Sequence, residues 1–475
     1  MYNDHFSSNT KKILMHKNRF QNFLHHLFSL DNTEILKLTV GGLLFFAIIA
    51  SYTLVQELKY GLFSAIVGPY HIPAAKLLAF IILFPAIILD GYLVDRFKRY
   101  QLLILYTFIF GAIGILFTFL SAHPEIGISN TKQDVGRIFG WAFLIYVEGF
   151  APFLLGVFWA FMNSIHNPKN AQRTYGFITS ASKIGGIFVT SFAYLFLSSH
   201  RLFFVNLDGT TKIQLIILFA SLLLLFASLF LSLMIKKLNL DTFKGYHTKI
   251  DEVSKKTGAW IGIKILLKNR YVLGVFLLVF LADIIAEIVN YKRILIVMGD
   301  KSADVSLYDK LAKLYLQLLY MHLIGLAISV FLTNSVMRLL GTRVCIFIMP
   351  VFTLIFAMIY IITAIDIVII WLYIVIKAMT YTIGTPSRES LYIITSKDIQ
   401  FKAKFVIDAL GKKLARNSGQ ALNYTWNVIG KYYGQFPSML FTNTVLIIIP
   451  IIWIVTAYFV GNTYIKNLKE DKVIS

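Results

Sequence analysis

Residues Ile72–Gln101 read IPAAKLLAFIILFPAIILDGYLVDRFKRYQ. The apolar run through the middle is long enough for a membrane-spanning helix, which takes about 20 residues, yet it contains Lys76. A charge inside such a helix costs roughly 2.5–3.5 kcal/mol on insertion scales, and residues of this kind face a cavity, a partner or a solute path. The run ends in Asp90-Gly91-Tyr92-Leu93-Val94-Asp95-Arg96-Phe97-Lys98-Arg99, a Gly/Asp/basic turn. A span carrying a costly charge ahead of a basic turn is the pattern expected of a transport protein.

The whole chain agrees with that stretch. Of its 475 residues 57% are hydrophobic and 15% charged, and the mean hydropathy is +0.71. That is more apolar surface than a soluble core can hide, so the chain reads as a polytopic membrane protein built of helices, which satisfy their own backbone groups in lipid. The polar remainder is too short for a separate soluble enzyme domain. The formal net charge of +21 is spread over loops, which argues against a nucleic-acid-binding domain. It divides instead between cytoplasmic loops, by the positive-inside rule, and a site for an anionic solute. The single cysteine, Cys345, sits in an apolar run and reads as a packed thiol. The first thirty residues lack the compact apolar core of a cleavable signal. No P-loop, HExxH, strand-borne GxSxG or metal-ligand cluster is present, so neither catalysis nor a cofactor is expected.

From Phe20 to Leu30, FQNFLHHLFSL places Phe20, Phe23, Leu24, Leu27 and Phe28 on one helical face, as in a helix lying in the interface. His25 and His26 fall on its polar side as a solvated pair. Apolar windows follow at Ile35–Val55, Ile72–Val94, Gln101–Ser121, Ile138–Phe161, Tyr175–Leu197 and Ile213–Ile235. The basic segment Lys236–Lys256 interrupts the series, and Ala259–Arg270 reads as a second interfacial helix. Further windows lie at Tyr271–Tyr291, Leu311–Leu332, Arg343–Ala364, Asp366–Ile383, Phe405–Ile429 and Thr442–Val460. The expected fold is all-α: twelve transmembrane helices in two six-helix bundles, major-facilitator-like. Its divisions are a cytoplasmic N-terminus with an interfacial helix (1–34), a first bundle (35–235), a basic cytoplasmic linker (236–270), a second bundle (271–463) and a cytoplasmic tail (464–475). The halves echo each other, since Arg338, Gly341 and Arg343 occupy in the second the place of the Asp95–Arg99 turn in the first.

Lys98 and Arg99, Lys169 and Arg173, Lys236 to Lys256, Arg338 and Arg343, and Lys397 to Lys404 all follow even-numbered helices, while the opposite loops mix charges. Both termini are therefore expected inside, in an integral multi-pass protein of a bacterial inner membrane, in contact with membrane lipid. Well inside the windows lie Lys76, Glu148, Lys183, Asp283, Glu287, Lys377, Lys412, Lys413 and Arg416. Asp283 and Glu287 are four apart and share a helix face. Each charge has a plain alternative as a buried pair or a snorkelling end residue. Together the cations outnumber the carboxylates, which suits a cavity for an anion, with carboxylates pairing to the lysines when the solute is absent.

Three ordered segments carry a resemblance. The first is Ser51-Tyr-Thr-Leu54, then Lys59-Tyr-Gly61, then Gly68 to Lys76. The second is Tyr146-Val-Glu148 to Phe158-Trp159-Ala-Phe161-Met-Asn163-Ser-Ile165, continuing through Ala171-Gln-Arg173-Thr-Tyr175; in helix 7, Glu287 precedes Tyr291-Lys292. The third is Ser387-Arg-Glu-Ser390-Leu-Tyr392 through Lys402, Lys404 and Asp408 to Asn417-Ser418-Gly419-Gln-Ala421-Leu422. In this order, over nearly the whole chain, the sequence resembles the non-mitochondrial ATP/ADP translocases, nucleotide transporters of obligate intracellular bacteria and plastids. The resemblance implies that Lys76 is the family's transport lysine and that Glu148 and Glu287 are its functional glutamates. It implies a turn at Lys59-Tyr-Gly61. The family lysine of helix 11 falls on Asn417, with Arg416 beside it, and Lys183 stands where the family has asparagine.

The expected function is exchange of nucleotides, ATP and ADP, by alternating access. Lys76, Lys183, Arg416 and Asn417 are then the substrate contacts, Glu148, Asp283 and Glu287 serve charge balance and gating, and Asp95, Arg96 and Arg99 form a loop latch. Two other readings stand beside it: a diverged transporter of another organic or phosphorylated anion, with protons carried by Glu148 or Glu287, and a non-transporting receptor or assembly protein on the same scaffold. None of these features specifies an oligomeric state.

Overall fold

The computed structural model describes residues 32–165, 168–198, 207–237, 259–299, 305–329, 333–396, 398–470 and 472–474. The expected interfacial helix with His25 and His26, and most of Lys236–Lys256, lie outside these residues. The described chain is nearly all helix, and its one β-bridge pairs Thr395 with Ile474.

The spans are α1 (Asn32–Ile66), α2 (Ile72–Arg96), α3 (Arg99–Ala122), α4 (Ile138–Ile165), α5 (Pro168–Leu197), α6 (Gly209–Lys237), α7 (Arg270–Met298), α8 (Leu307–Ala327), α9 (Thr333–Thr363), α10 (Asp366–Leu391), α11 (Lys412–Tyr433) and α12 (Gln435–Lys469). Among the described residues, nine helices are long and apolar enough to cross a membrane by length and composition. The short helix Ala259–Lys268 precedes α7, whose N-cap Asn269 accepts from the Tyr271 and Val272 amides.

Several elements exceed their apolar windows. α1 and α12 have 35 residues each, roughly 50 Å at 1.5 Å per residue. α1 runs on past Val55 to Ile66, so Lys59-Tyr60-Gly61 is helical and not the expected turn. The extension carries Glu57 and Lys59, both buried, which a helix in lipid tolerates only when partners elsewhere in the protein meet them.

α4 and α10, the fourth spans of the two series, each contain a π turn, Phe150–Leu155 and Thr380–Gly384. Prolines explain both places. Pro152 lies within the first and Pro386 just beyond the second, and a residue without an N–H cannot donate to the carbonyl four residues back. At Gly341 α9 kinks, with φ 72° and ψ 163°, a conformation open to glycine.

Two apolar clusters form the core. One is made mainly by α1–α6, the other by α7–α12. The first also takes in Tyr291, Ile294 and Val297 of α7 and Leu311, Ala312, Leu314 and Tyr315 of α8. The ends of α7 and α8 farthest from the basic loops are therefore packed into the first six helices.

Candidate functional site

The basic loops lie at one end of the helices, here the basic face; the loop 67–71, the α7–α8 loop and Gly434 lie at the other, the far face. Near the far face four polar contacts among the described residues cross from the first six helices to the last six. Lys76 Nζ lies 2.6 Å from Glu287 Oε2, Arg293 Nη2 lies 2.9 Å from Glu57 Oε2, and Asn427 Nδ2 donates to the Tyr70 carbonyl at 2.8 Å. The Tyr315 hydroxyl also donates to the Leu54 carbonyl.

Each pair is held on several sides. Glu287 Oε2 accepts from Gln420 Nε2 at 2.6 Å as well as from Lys76, and Lys76 Nζ donates to the Tyr60 hydroxyl at 3.3 Å. Lys59, bound to Glu148 at 2.8 Å, lies 4.8 Å from the centroid of the same Tyr60 ring, and Lys76 lies 5.6 Å from it. The ring face attracts both ammonium groups, so Tyr60 links the Lys59–Glu148 and Lys76–Glu287 pairs. Arg293 and Glu57 have side chains 0% exposed. Arg293 donates further to Gln317 Oε1 and Asn290 Oδ1, and its guanidinium sits 4.1 Å from the Tyr373 ring centroid. A Cβ at Gly61 would overlap the Leu311 side chain, so the glycine lets α1 and α8 approach closely. The far face is shut by polar contacts set in an apolar seam, the Arg293–Glu57 pair fully buried and the Asn427–Tyr70 contact exposed.

Toward the basic face from this seam lies a cavity of about 510 Å³, lined by Tyr52, Gln56, Lys183, His322, Lys377 and Tyr381 among others. A smaller one of about 130 Å³ shares Lys377, Tyr381 and Thr385 with it and adds Asp283, Arg388, Lys412 and Arg416. The larger has the size of a small-molecule site, which runs to several hundred Å³, and the smaller adjoins it. The linings hold Lys183, Lys377, Arg388, Lys412 and Arg416, and among the described residues Asp283 is the one carboxylate that joins them. Arg416 Nε is 3.8 Å from Asp283 Oδ2, too long for a hydrogen bond, and the Arg416 side chain is 51% exposed. Lys183 Nζ reaches Ser329 Oγ at 3.2 Å, and Lys377 forms no ion pair among the described residues. Arg388 and Lys412 are more fully engaged, both with Asp408.

No protein-family model matches the sequence, and no curated protein matches it either. Solved structures do match in shape. A bacterial homologue of the iron transporter ferroportin, in an inward-facing state, aligns with TM-score 0.59 at 13% identity, over 90% of this chain and 98% of that one. The nucleoside transporter NupG aligns with TM-score 0.56 at 14% identity, over 92% and 100%. A bacterial homologue of the human lysosomal transporter Spinster, inward-facing and unoccupied, aligns with TM-score 0.56 at 12% identity, over 92% and 99%. The fold is major-facilitator-like.

Within that twelve-helix fold the residues singled out from sequence separate by depth. Lys183, Arg416 and Asp283 line the cavities, joined by Lys377. Lys76, Glu148 and Glu287 belong to the far-face seam, and Lys76 lines neither central cavity. Asn417 Nδ2 donates to the Lys413 carbonyl within its own helix at 2.8 Å, and Asn417 does not line the cavities. Asp95 lies in the last turn of α2 with its side chain outside the described residues, Arg96 is exposed beside it, and Arg99 begins α3. Sequence reasoning passed over Glu57 and Arg293. The signal was the apolar run Gly61–Val67, which continues the first window beyond the polar Gln56–Lys59.

Proposed function

We propose that this chain is a membrane transporter whose central cavity takes a phosphorylated organic anion, a nucleotide being the solute to which the family resemblance points. The observation that carries the proposal is the set of cations around the two cavities, Lys183, Lys377 and Arg416 beside Asp283, with Arg388 and Lys412 sharing Asp408. A nucleotide brings several negative charges, and cations from α5, α10 and α11 together can meet them where one could not. Arg416 grips two phosphate oxygens with its fork, while Lys183 and Lys377 act as point charges. The basic face is then cytoplasmic by the positive-inside rule, and the far-face seam is the closed outer gate. Alternating access follows: the anion enters from the basic face, the halves rock around it, and the gate pairs part. Lys76, released from Glu287, then meets the departing or arriving anion, which is how a lysine of the gate acts in transport. The pairing of Glu148 with Lys59 and of Glu287 with Lys76 fits charge balance better than proton carriage. The nucleoside transporter of the same fold indicates that such a scaffold accommodates solutes of nucleoside size.

The test is counterflow in proteoliposomes. Labelled ATP is expected to enter faster when unlabelled ADP is inside, with no requirement for a proton gradient. Uptake of another anion only, or uptake that follows the proton gradient, would select the diverged-transporter reading; no uptake and no thermal response to any solute would select the non-transporting scaffold.

A further inference from the structure

Near the far face, beside the seam and apart from the central cavities, lies a space of about 810 Å³. Tyr70 and Ala74 wall it from the first six helices, and Lys292, Trp426, Lys431 and Tyr432 from the last six. Among the described residues no Asp or Glu lines it. The buried cations among the described residues are Lys37, Lys59, Lys292 and Arg293. Three of them have a carboxylate oxygen within 2.8–2.9 Å. Lys292 has none; its ammonium meets the Tyr360 hydroxyl at 2.7 Å and the ring faces of Tyr360 and Trp426 at 4.3 and 5.4 Å. An ammonium has three donors, and a buried charge with no carboxylate at ion-pair distance is costly, Asp366 acting on Lys292 only from farther off. An amine with donors to spare, on the wall of a large acid-free cavity, is one half of an ion pair.

The other half, we propose, is a phosphate ester: its phosphate pairs with Lys292, Lys431 stands at the rim, and its body lies against Trp426 and Tyr432. The cavity has walls from both halves, and Asn427, one of its lining residues, donates both to the Tyr70 carbonyl and to the Tyr291 hydroxyl. The site is complete only while the far face is shut. A ligand bound there favours the shut state by its differential affinity, so the site is a brake on alternation separate from the transported solute. Two sources supply this chemistry, an anionic phospholipid headgroup and a soluble phosphate ester.

The experiment uses the full-length protein with Cys345→Ala and Ala312→Cys, in nanodiscs, and follows the rate at which a maleimide labels position 312. Three conditions are compared: phosphatidylcholine alone, phosphatidylcholine with phosphatidylglycerol, and phosphatidylcholine with glycerol 3-phosphate in solution. Labelling is expected to slow about tenfold in one of the last two, as suits one charge-assisted hydrogen bond, and Lys292→Met is expected to abolish the slowing when its rate is compared with its own rate in phosphatidylcholine alone. Slowing by the lipid assigns a headgroup, and slowing by the solute assigns a soluble ester. Slowing in neither, or equal slowing in Lys292→Met, overturns the proposal. The rim variant Lys431→Ala, on an exposed residue, is expected to raise the half-saturating concentration several-fold, and no change there also counts against the site. Labelling reads no transport, so the result stands apart from the identity of the central solute.

Discussion

Replacing Glu57 with glutamine keeps the shape of the side chain and strands the charge of Arg293. Both side chains are 0% exposed, on helices from opposite halves of the fold. Removing one partner of a buried ion pair costs about 3–5 kcal/mol. Gln317 and Asn290 still accept from Arg293, which places the expected cost toward the lower end. The cost falls on the state with the far face shut, because opening the seam gives Arg293 water. At about 1.4 kcal/mol per tenfold, the ratio of shut to open falls by roughly 100-fold. The chain has one cysteine, Cys345, so a Cys345→Ala, Ala312→Cys background reports opening cleanly: Ala312 is 3% exposed in the shut seam. Labelling of that cysteine from the far face is expected to accelerate by up to about 100-fold in Glu57→Gln, and to slow again when Arg293→Gln is added, since the second change removes the stranded charge. An unchanged rate in Glu57→Gln would show that the pair does not hold the seam shut. A double variant as fast as the single one would show that lost packing, not charge, is responsible.

Arg416→Ala and Lys183→Ala are each expected to raise the KM for the transported anion about 10- to 100-fold, the worth of one charged hydrogen bond, with Arg416→Lys recovering part of the loss; proteoliposome uptake measures both. Gly61→Ala places a methyl group against Leu311 and is expected to speed labelling at position 312 without touching any charge. Gly341→Ala and Gly434→Ala meet no neighbouring atom, so the strain at φ 72° and 92° acts alone. Each is expected to cost about 1–3 kcal/mol, read as a lower thermal unfolding temperature with transport kinetics retained.

Hydropathy made the spans legible because a helix in lipid must be apolar along most of its length. It made Lys76, Glu148, Lys183, Asp283, Glu287 and Arg416 conspicuous for the same reason. It failed at the ends of helices that run beyond the hydrocarbon. Gln56-Glu57-Leu58-Lys59 looks like the end of a span only if those charges face water; their partners Arg293 and Glu148 lie 236 and 89 residues away, and no local pattern announces them. Depth was illegible too. Lys76 and Lys183 are both lysines in apolar helices, yet one meets a glutamate in the seam and the other a serine beside the cavity. Which of these a lysine meets depends on how twelve helices pack, and a single helix does not encode that.

The π turns in α4 and α10 bear on how these helices tolerate change. A π turn holds one residue more than an α turn, so deleting Pro152 from Phe150–Leu155 would leave an ordinary, fully bonded helix. It would also rotate everything beyond by about 100°. Glu148, before the turn, meets Lys59, while Phe158, after it, stacks on Phe45 at 4.5 Å; both partners lie on α1. A one-residue deletion therefore preserves the backbone and forfeits one of the two attachments, which makes α4 permissive to loss in its hydrogen bonding and strict in its phase.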